Sequence, residues 1–120
     1  MTRPAPGTVL CPLDDIADPG ARGFVFGGGT TRWEVFVIRH GGLVRGYENS
    51  CPHTGTPLET LPDRFLTADQ SQILCSTHGA RFRLDDGHCV AGPCVGDRLA
   101  AVALSIDDDG RVRLGDEAPE

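Results

Sequence analysis

The chain has no lysine, and only one residue each of methionine, tryptophan and tyrosine. All 11 cationic side chains are therefore arginine, against 17 Asp and Glu, and the formal net charge is −6. No basic stripe exists, which argues against nucleic acid as a partner. An acidic surface suits a partner with a basic patch instead. Long apolar runs are missing too: no stretch approaches the roughly 20 residues of a membrane helix. The segment Met1-Thr2-Arg3-Pro4-Ala5-Pro6-Gly7 lacks the apolar region of a secretory signal. These absences lead us to expect a soluble, cytoplasmic protein. Also missing are internal repeats, low-complexity tracts and any long helical periodicity.

What the chain does have is turn formers and alternation. With 16 Gly and 9 Pro in 120 residues, it suits one compact domain of many short elements. Trp33, Val35 and Val37 fall on one face of an expected strand, with Glu34, Phe36 and Ile38 on the other. That strand should turn at Gly41-Gly42 and return through Leu43 to Tyr47. An earlier strand is expected over 22–26. Strands over 99–106 and 111–114 should flank the turn Asp107-Asp108-Asp109-Gly110, and 80–84 and 88–90 should flank Asp85-Asp86-Gly87. Leu13 to Ala17 could form one helical turn, and 115–120 should fray. The expected class is all-β with short antiparallel strands.

Alternation weakens between about 48 and 94, where Cys, His, Pro and Thr gather. Such a stretch builds a core of its own poorly, so a metal is a natural organiser. Two short motifs stand there: Cys51-Pro52-His53, then Cys75-Ser76-Thr77-His78, separated by residues 54–74. Each offers a thiolate and an imidazole close enough for one turn to aim both at one centre. Two Cys and two His fit a structural zinc site, or a [2Fe–2S] cluster in which two imidazoles replace two thiolates on one iron. Zinc modules usually group Cys with Cys and His with His, a grouping absent here.

The runs Cys51-Pro52-His53-Thr54-Gly55 and Cys75-Ser76-Thr77-His78-Gly79 resemble the Rieske iron–sulfur signature, C-x-H followed by C-x-x-H-G. Leu58, Ala80-Arg81-Phe82, the Asp86-Gly87 turn and Gly92-Pro93 extend the resemblance, which covers most of the chain from near Leu10 to near Leu114. It implies one [2Fe–2S] cluster per chain, with Cys51 and Cys75 on one iron and His53 and His78 on the other. It also implies the Rieske fold within a single domain, 1–120: a base of antiparallel sheets, 1–47 and 95–120, and an inserted cluster-binding subdomain, 48–94. The high-potential branch of that family has a disulfide between its cluster loops, where this chain has Thr56 and Thr77. It also has hydroxyl donors where this chain has Ala80 and Phe82. Fewer donors to sulfur stabilise the reduced cluster less, so the potential should lie near the low end of the Rieske range, about −150 mV. That pattern resembles Rieske ferredoxins serving oxygenases.

The remaining candidates have plainer readings. Gly92-Pro93 resembles the proline loop that shields such a cluster. Cys89 and Cys94 read as small buried hydrophobes, with a redox pair as the alternative, and Cys11 reads as packing. His40 and His88 belong to the surface. Asp107-Asp108-Asp109 reads as a solvated turn, lacking the terminal Glu of a calcium loop. Arg81 could dock a partner or simply be solvated. The resulting expectation is an electron carrier, not an enzyme by itself, between a flavin-dependent reductase and a terminal oxygenase or similar enzyme. The alternatives are a cluster-bearing regulatory or assembly subunit and, more remotely, a zinc module.

Overall fold

The computed structural model describes residues 7–27, 33–50, 58, 64–75 and 79–115. Within them the expected all-β, antiparallel character holds. The strands are β1 (Val9–Pro12), β2 (Gly20–Phe26), β3 (Trp33–His40), β4 (Leu43–Glu48), β5 (Ile73–Leu74), β6 (Arg81–Phe82), β7 (Cys89–Ala91), β8 (Ala101–Val102), β9 (Leu104–Ile106) and β10 (Arg111–Leu114). A single 3-10 turn, Leu13–Asp15, occupies the place expected for one helical turn. Three sheets result, in orders β1-β10-β9, β2-β3-β4-β8 and β5-β6-β7, every pairing antiparallel.

Strand β3 is central because both of its faces are apolar. Val35, Phe36, Val37 and Ile38 are all fully buried, the pattern of a strand covered on two sides. On one face, Trp33, Val35 and Val37 pack in cores shared with Cys11, Val102, Val112 and Leu114 from the outer strands. On the other, Phe36 and Ile38 join a larger core with Tyr47, Leu58, Phe65, Ile73, Phe82 and Leu99. Phe36 stacks flat on Phe65, with ring centroids 4.3 Å apart. Such aromatic pairs contribute about 0.5–1.5 kcal/mol beyond area burial. The buried Tyr47 hydroxyl donates to the Leu84 carbonyl at 2.7 Å. The β5-β6-β7 sheet is thus seated on the β3-β4 hairpin by one continuous apolar face.

One expected strand is divided. Residues 99–106 do not run as a single strand: Ala101–Val102 pairs with β4, while Leu104–Ile106 pairs with β10. The chain changes sheets at Ala103, whose carbonyl accepts the Gly115 N–H at 2.9 Å. Gly46 permits the change. A Cβ there would lie 3.1 Å from the Leu104 side chain and 3.2 Å from the Val102 carbonyl oxygen. Gly115, placed with the frayed end by sequence, is held by that same bond, and 116–120 lie outside the described residues.

Candidate metal centre

The second motif begins where β5 ends. Ile73 pairs with Phe82 and Leu74 with Arg81, so β5 and β6 form a hairpin whose connection leaves from Cys75 and returns at Ala80. Its base is closed by two backbone bonds: Cys75 N–H to the Ala80 carbonyl and Gly79 N–H to the Cys75 carbonyl, both 2.8 Å. Gly79 has φ +71° with open space around its Cβ position. Its requirement is therefore the left-handed backbone itself, which glycine adopts without steric cost. The Cys75 thiol is wholly buried at the mouth of this loop. Ser76, Thr77 and His78 lie outside the described residues, as do Cys51, His53 and Thr56 of the first loop. Among the described residues, no three Cys, His, Asp or Glu side chains converge on a common point.

The ends of the first loop are fixed by a residue that sequence reading passed over. Asn49 is the buried polar side chain of the described core. Its N–H donates to the Glu34 carbonyl at 3.0 Å, anchoring it to β3. Its Oδ1 accepts the N–H of fully buried Leu58 at 2.8 Å. One side chain thus joins the two residues that bracket 50–57, the segment containing Cys51 and His53. The signal available in the sequence was a lone Asn at a strand end, which is equally an ordinary turn residue.

A third segment covers the second loop. Gly92 follows β7 with φ +93°, and a Cβ on it would lie 2.7 Å from the Ala80 Cα. Backbone therefore rests on backbone, and residue 92 must be glycine. Pro93 next to it is exposed and Cys94 is buried. This places the Gly92-Pro93 turn directly against Ala80, two positions beyond His78. Ala80 and Phe82 are both fully buried and carry no hydroxyl.

The other sequence candidates are placed as follows. Cys89 and Cys94 are buried with their Sγ atoms 3.2 Å apart. Cys11 packs in the separate core under β10, where burial pushes its thiol pKa up. His40 and His88 are exposed, and the His88 N–H donates to Asp86. The Asp86 carboxylate is held well below the usual range, first by its hydrogen bond from Arg83. Asp107 is occupied by its own turn. It accepts the N–H groups of Asp109 and Arg111 and the side chains of Arg111 and Arg113, and its pKa falls to about 2. Arg81 is exposed. An open groove of about 230 Å³ between the start of β2 and residues 64–70 is lined by one titratable side chain, Arg64.

The described part of the centre fits an iron–sulfur cluster. It has a buried thiol at the mouth of a closed hairpin loop, apolar neighbours that exclude water, and a covering turn pressed onto that loop. A soft thiolate and imidazole donor set matches such a group.

Comparison with known proteins agrees. The family model described as "Rieske [2Fe-2S] domain" matches residues 8–105. The ferredoxin component of the alkene monooxygenase system of Xanthobacter autotrophicus is 28% identical over 110 residues, covering 90% of this chain and 80% of that protein. The ferredoxin of carbazole 1,9a-dioxygenase from Nocardioides aromaticivorans has a similar fold, with TM-score 0.68 and 24% identity over 95% of this chain and 100% of its own. A chain in the complex of reduced oxygenase and oxidised ferredoxin of carbazole 1,9a-dioxygenase aligns with TM-score 0.70 and 20% identity, over 93% of this chain and 95% of that one.

Proposed function

The chain belongs to the Rieske [2Fe–2S] domain family, and from that premise we propose that it is a ferredoxin carrying single electrons from a flavin-dependent reductase to a terminal oxygenase. The observation that carries this reading is the buried Cys75 hairpin loop, with the Gly92-Pro93 turn pressed onto it. Relatives that are ferredoxin components of oxygenase systems support it. Cys51 and Cys75 hold one iron, and His53 and His78 hold the other. When bound, the cluster stores and releases one electron. The chain's own residues decide how readily. Thiolates from Cys51 and Cys75 keep one iron electron-rich. Neutral imidazoles of His53 and His78 leave the other easier to reduce. Ala80 and Phe82 offer no hydroxyl to the sulfurs, which keeps the potential toward the low end of the Rieske range.

In this reading residues 48–94 form the cluster-binding subdomain, and 1–47 with 95–120 form its base. The continuous core joining Phe36 and Tyr47 to Phe65 and Phe82 supports a rigid mount for the loops. A rigid mount suits electron transfer, which needs fixed distances and little rearrangement. The protein acts in the cytoplasm and has no substrate site of its own. No helix among the described residues is long and apolar enough to cross a membrane.

The experiment is stopped-flow mixing of the reduced protein with the terminal oxygenase of a ferredoxin-dependent oxygenase system. Reversible voltammetry and oxidation by the oxygenase faster than its turnover support the carrier. Slow exchange, with partner binding that depends on redox state, contradicts it and favours the regulatory subunit. Zinc in place of iron and sulfide contradicts both.

A further inference from the structure

Cys89 and Cys94 have no part in the ligand set just proposed, yet their thiols touch each other. Cys89 sits on β7 and Cys94 in the turn after it, both nearly inaccessible to water. The Cys89 S–H donates to the Ala91 carbonyl at 3.2 Å, and the two Sγ atoms stand 3.2 Å apart. The backbones around them are already tied. Cys89 N–H donates to the Asp97 carbonyl, and Asp97 N–H to the Cys94 carbonyl, both at 2.9 Å. A disulfide needs the sulfurs at about 2.05 Å, so they must close by only about 1.2 Å. The turn can supply that movement. Gly92 and Gly96 flank it with positive φ, and Pro93 and Val95 between them face solvent.

We propose that Cys89 and Cys94 are a reversible dithiol–disulfide site that clips the 92–97 turn to β7. The oxidant is a small peroxide, which can enter when the turn lifts. Cys94 sulfur attacks hydrogen peroxide: the O–O bond breaks, an S–O bond forms, and one water leaves. Cys89 sulfur then attacks the Cys94 sulfur. The S–S bond forms, the S–O bond breaks, and the oxygen departs as a second water with the Cys89 proton. Two thiols lose two electrons and two protons, and one peroxide becomes two waters. Because Gly92 rests on Ala80, the clip fastens the segment covering the second loop. That consequence for the cluster rests on the function proposed above, whereas the disulfide itself does not.

Trypsin makes the chemistry directly readable. Cleavage after Arg83 and Arg98 releases residues 84–98, which contain Cys89 and Cys94 and no other cysteine. The purified holoprotein is titrated with hydrogen peroxide, denatured, alkylated and digested. The clip predicts an 84–98 peptide that is two hydrogens lighter, takes up no alkyl group, and recovers both thiols with dithiothreitol. Cys94→Ala should abolish this change. If that variant does not fold, the wild-type peptide alone decides. A peptide that still takes two alkyl groups at doses where Cys51 or Cys75 is already oxidised overturns the proposal. Loss of visible absorbance in air is followed in parallel, and the clipped protein should bleach at least twofold more slowly. Equal bleaching rates overturn the claim that the clip fastens the cover. Protein that carries no iron or sulfide as purified, yet still forms the clip, overturns the carrier reading and leaves the disulfide standing.

Discussion

Replacing Asn49 by Ala should release the first ligand loop more than it weakens the fold. The substitution removes the Oδ1 acceptor of the Leu58 N–H, a 2.8 Å bond. Leu58 is fully buried, so water cannot take over. A buried donor left unsatisfied costs about 1–3 kcal/mol. At about 2.1 cal/mol/K per residue, a chain of this length loses about 4 °C of Tm per kcal/mol, giving a drop of about 4–12 °C. Val112→Ala supplies the comparison. Val112 is equally buried, in the separate core with Cys11, Ile16 and Val37, and its truncation costs about 2 kcal/mol. The deciding assay is the rate at which visible cluster absorbance is lost at 25 °C with a chelator present. If Asn49 clamps the loop, local opening becomes easier by the full 1–3 kcal/mol, and loss accelerates about 5- to 150-fold. Val112→Ala should leave that rate within about threefold of wild type, because the fold stays closed at 25 °C. Equal acceleration in both variants refutes the clamp and makes Asn49 a general contributor to stability.

Ala80→Ser places a hydroxyl beside the second loop. Hydrogen bonds to charged acceptors exceed those to neutral ones by about 0.5–2 kcal/mol, which is a rise on the order of 20–80 mV for one electron. Voltammetry showing no rise sinks the argument that missing hydroxyl donors set the proposed low potential. Asp107 has a pKa lowered from 3.8 to about 2, chiefly by the Arg111 N–H and the Arg113 guanidinium. A depressed carboxylate stabilises the fold above pH 3.8 and loses that effect as pH falls toward 2. Thermal unfolding between pH 6 and 3 should therefore show a shallower acid decline in Asp107→Asn than in wild type. Identical slopes contradict this.

The sequence disclosed the β3-β4 hairpin because its alternation and its Gly41-Gly42 turn agree, and local signals that agree are the readable ones. It disclosed the Asp107 turn for the same reason. It did not disclose that residues 99–106 divide between two sheets. Periodicity of two reports faces, not pairing partners, and the break at Ala103 is set by the distant Gly46 and Gly115. Strand β1 was missed because Val9–Pro12 is short, ends in proline and pairs on one side only. Strand β5, two residues long, has too few positions to show a pattern at all. At the proposed metal centre, the Cys and His spacing stands out because ligand chemistry demands particular residue types, and of those four residues Cys75 alone is among the described ones. The supports were legible only in part. Gly92 was named with Pro93 through the resemblance, Asn49 was not, and neither the approach of Gly92 to Ala80 nor the bond from Leu58 to Asn49 leaves a trace in local sequence.

In the proposed centre, two imidazoles and two thiolates of this chain share one diiron cluster. Pulsed electron paramagnetic resonance on the reduced protein, grown with ¹⁵N-labelled histidine, tests it most directly. Of the four histidines, two should couple strongly to the electron spin. His53→Ala or His78→Ala should abolish the native signal, and His40→Ala or His88→Ala should leave it intact. A reduced protein with no histidine nitrogen coupling, or with couplings that survive both ligand substitutions, contradicts the account.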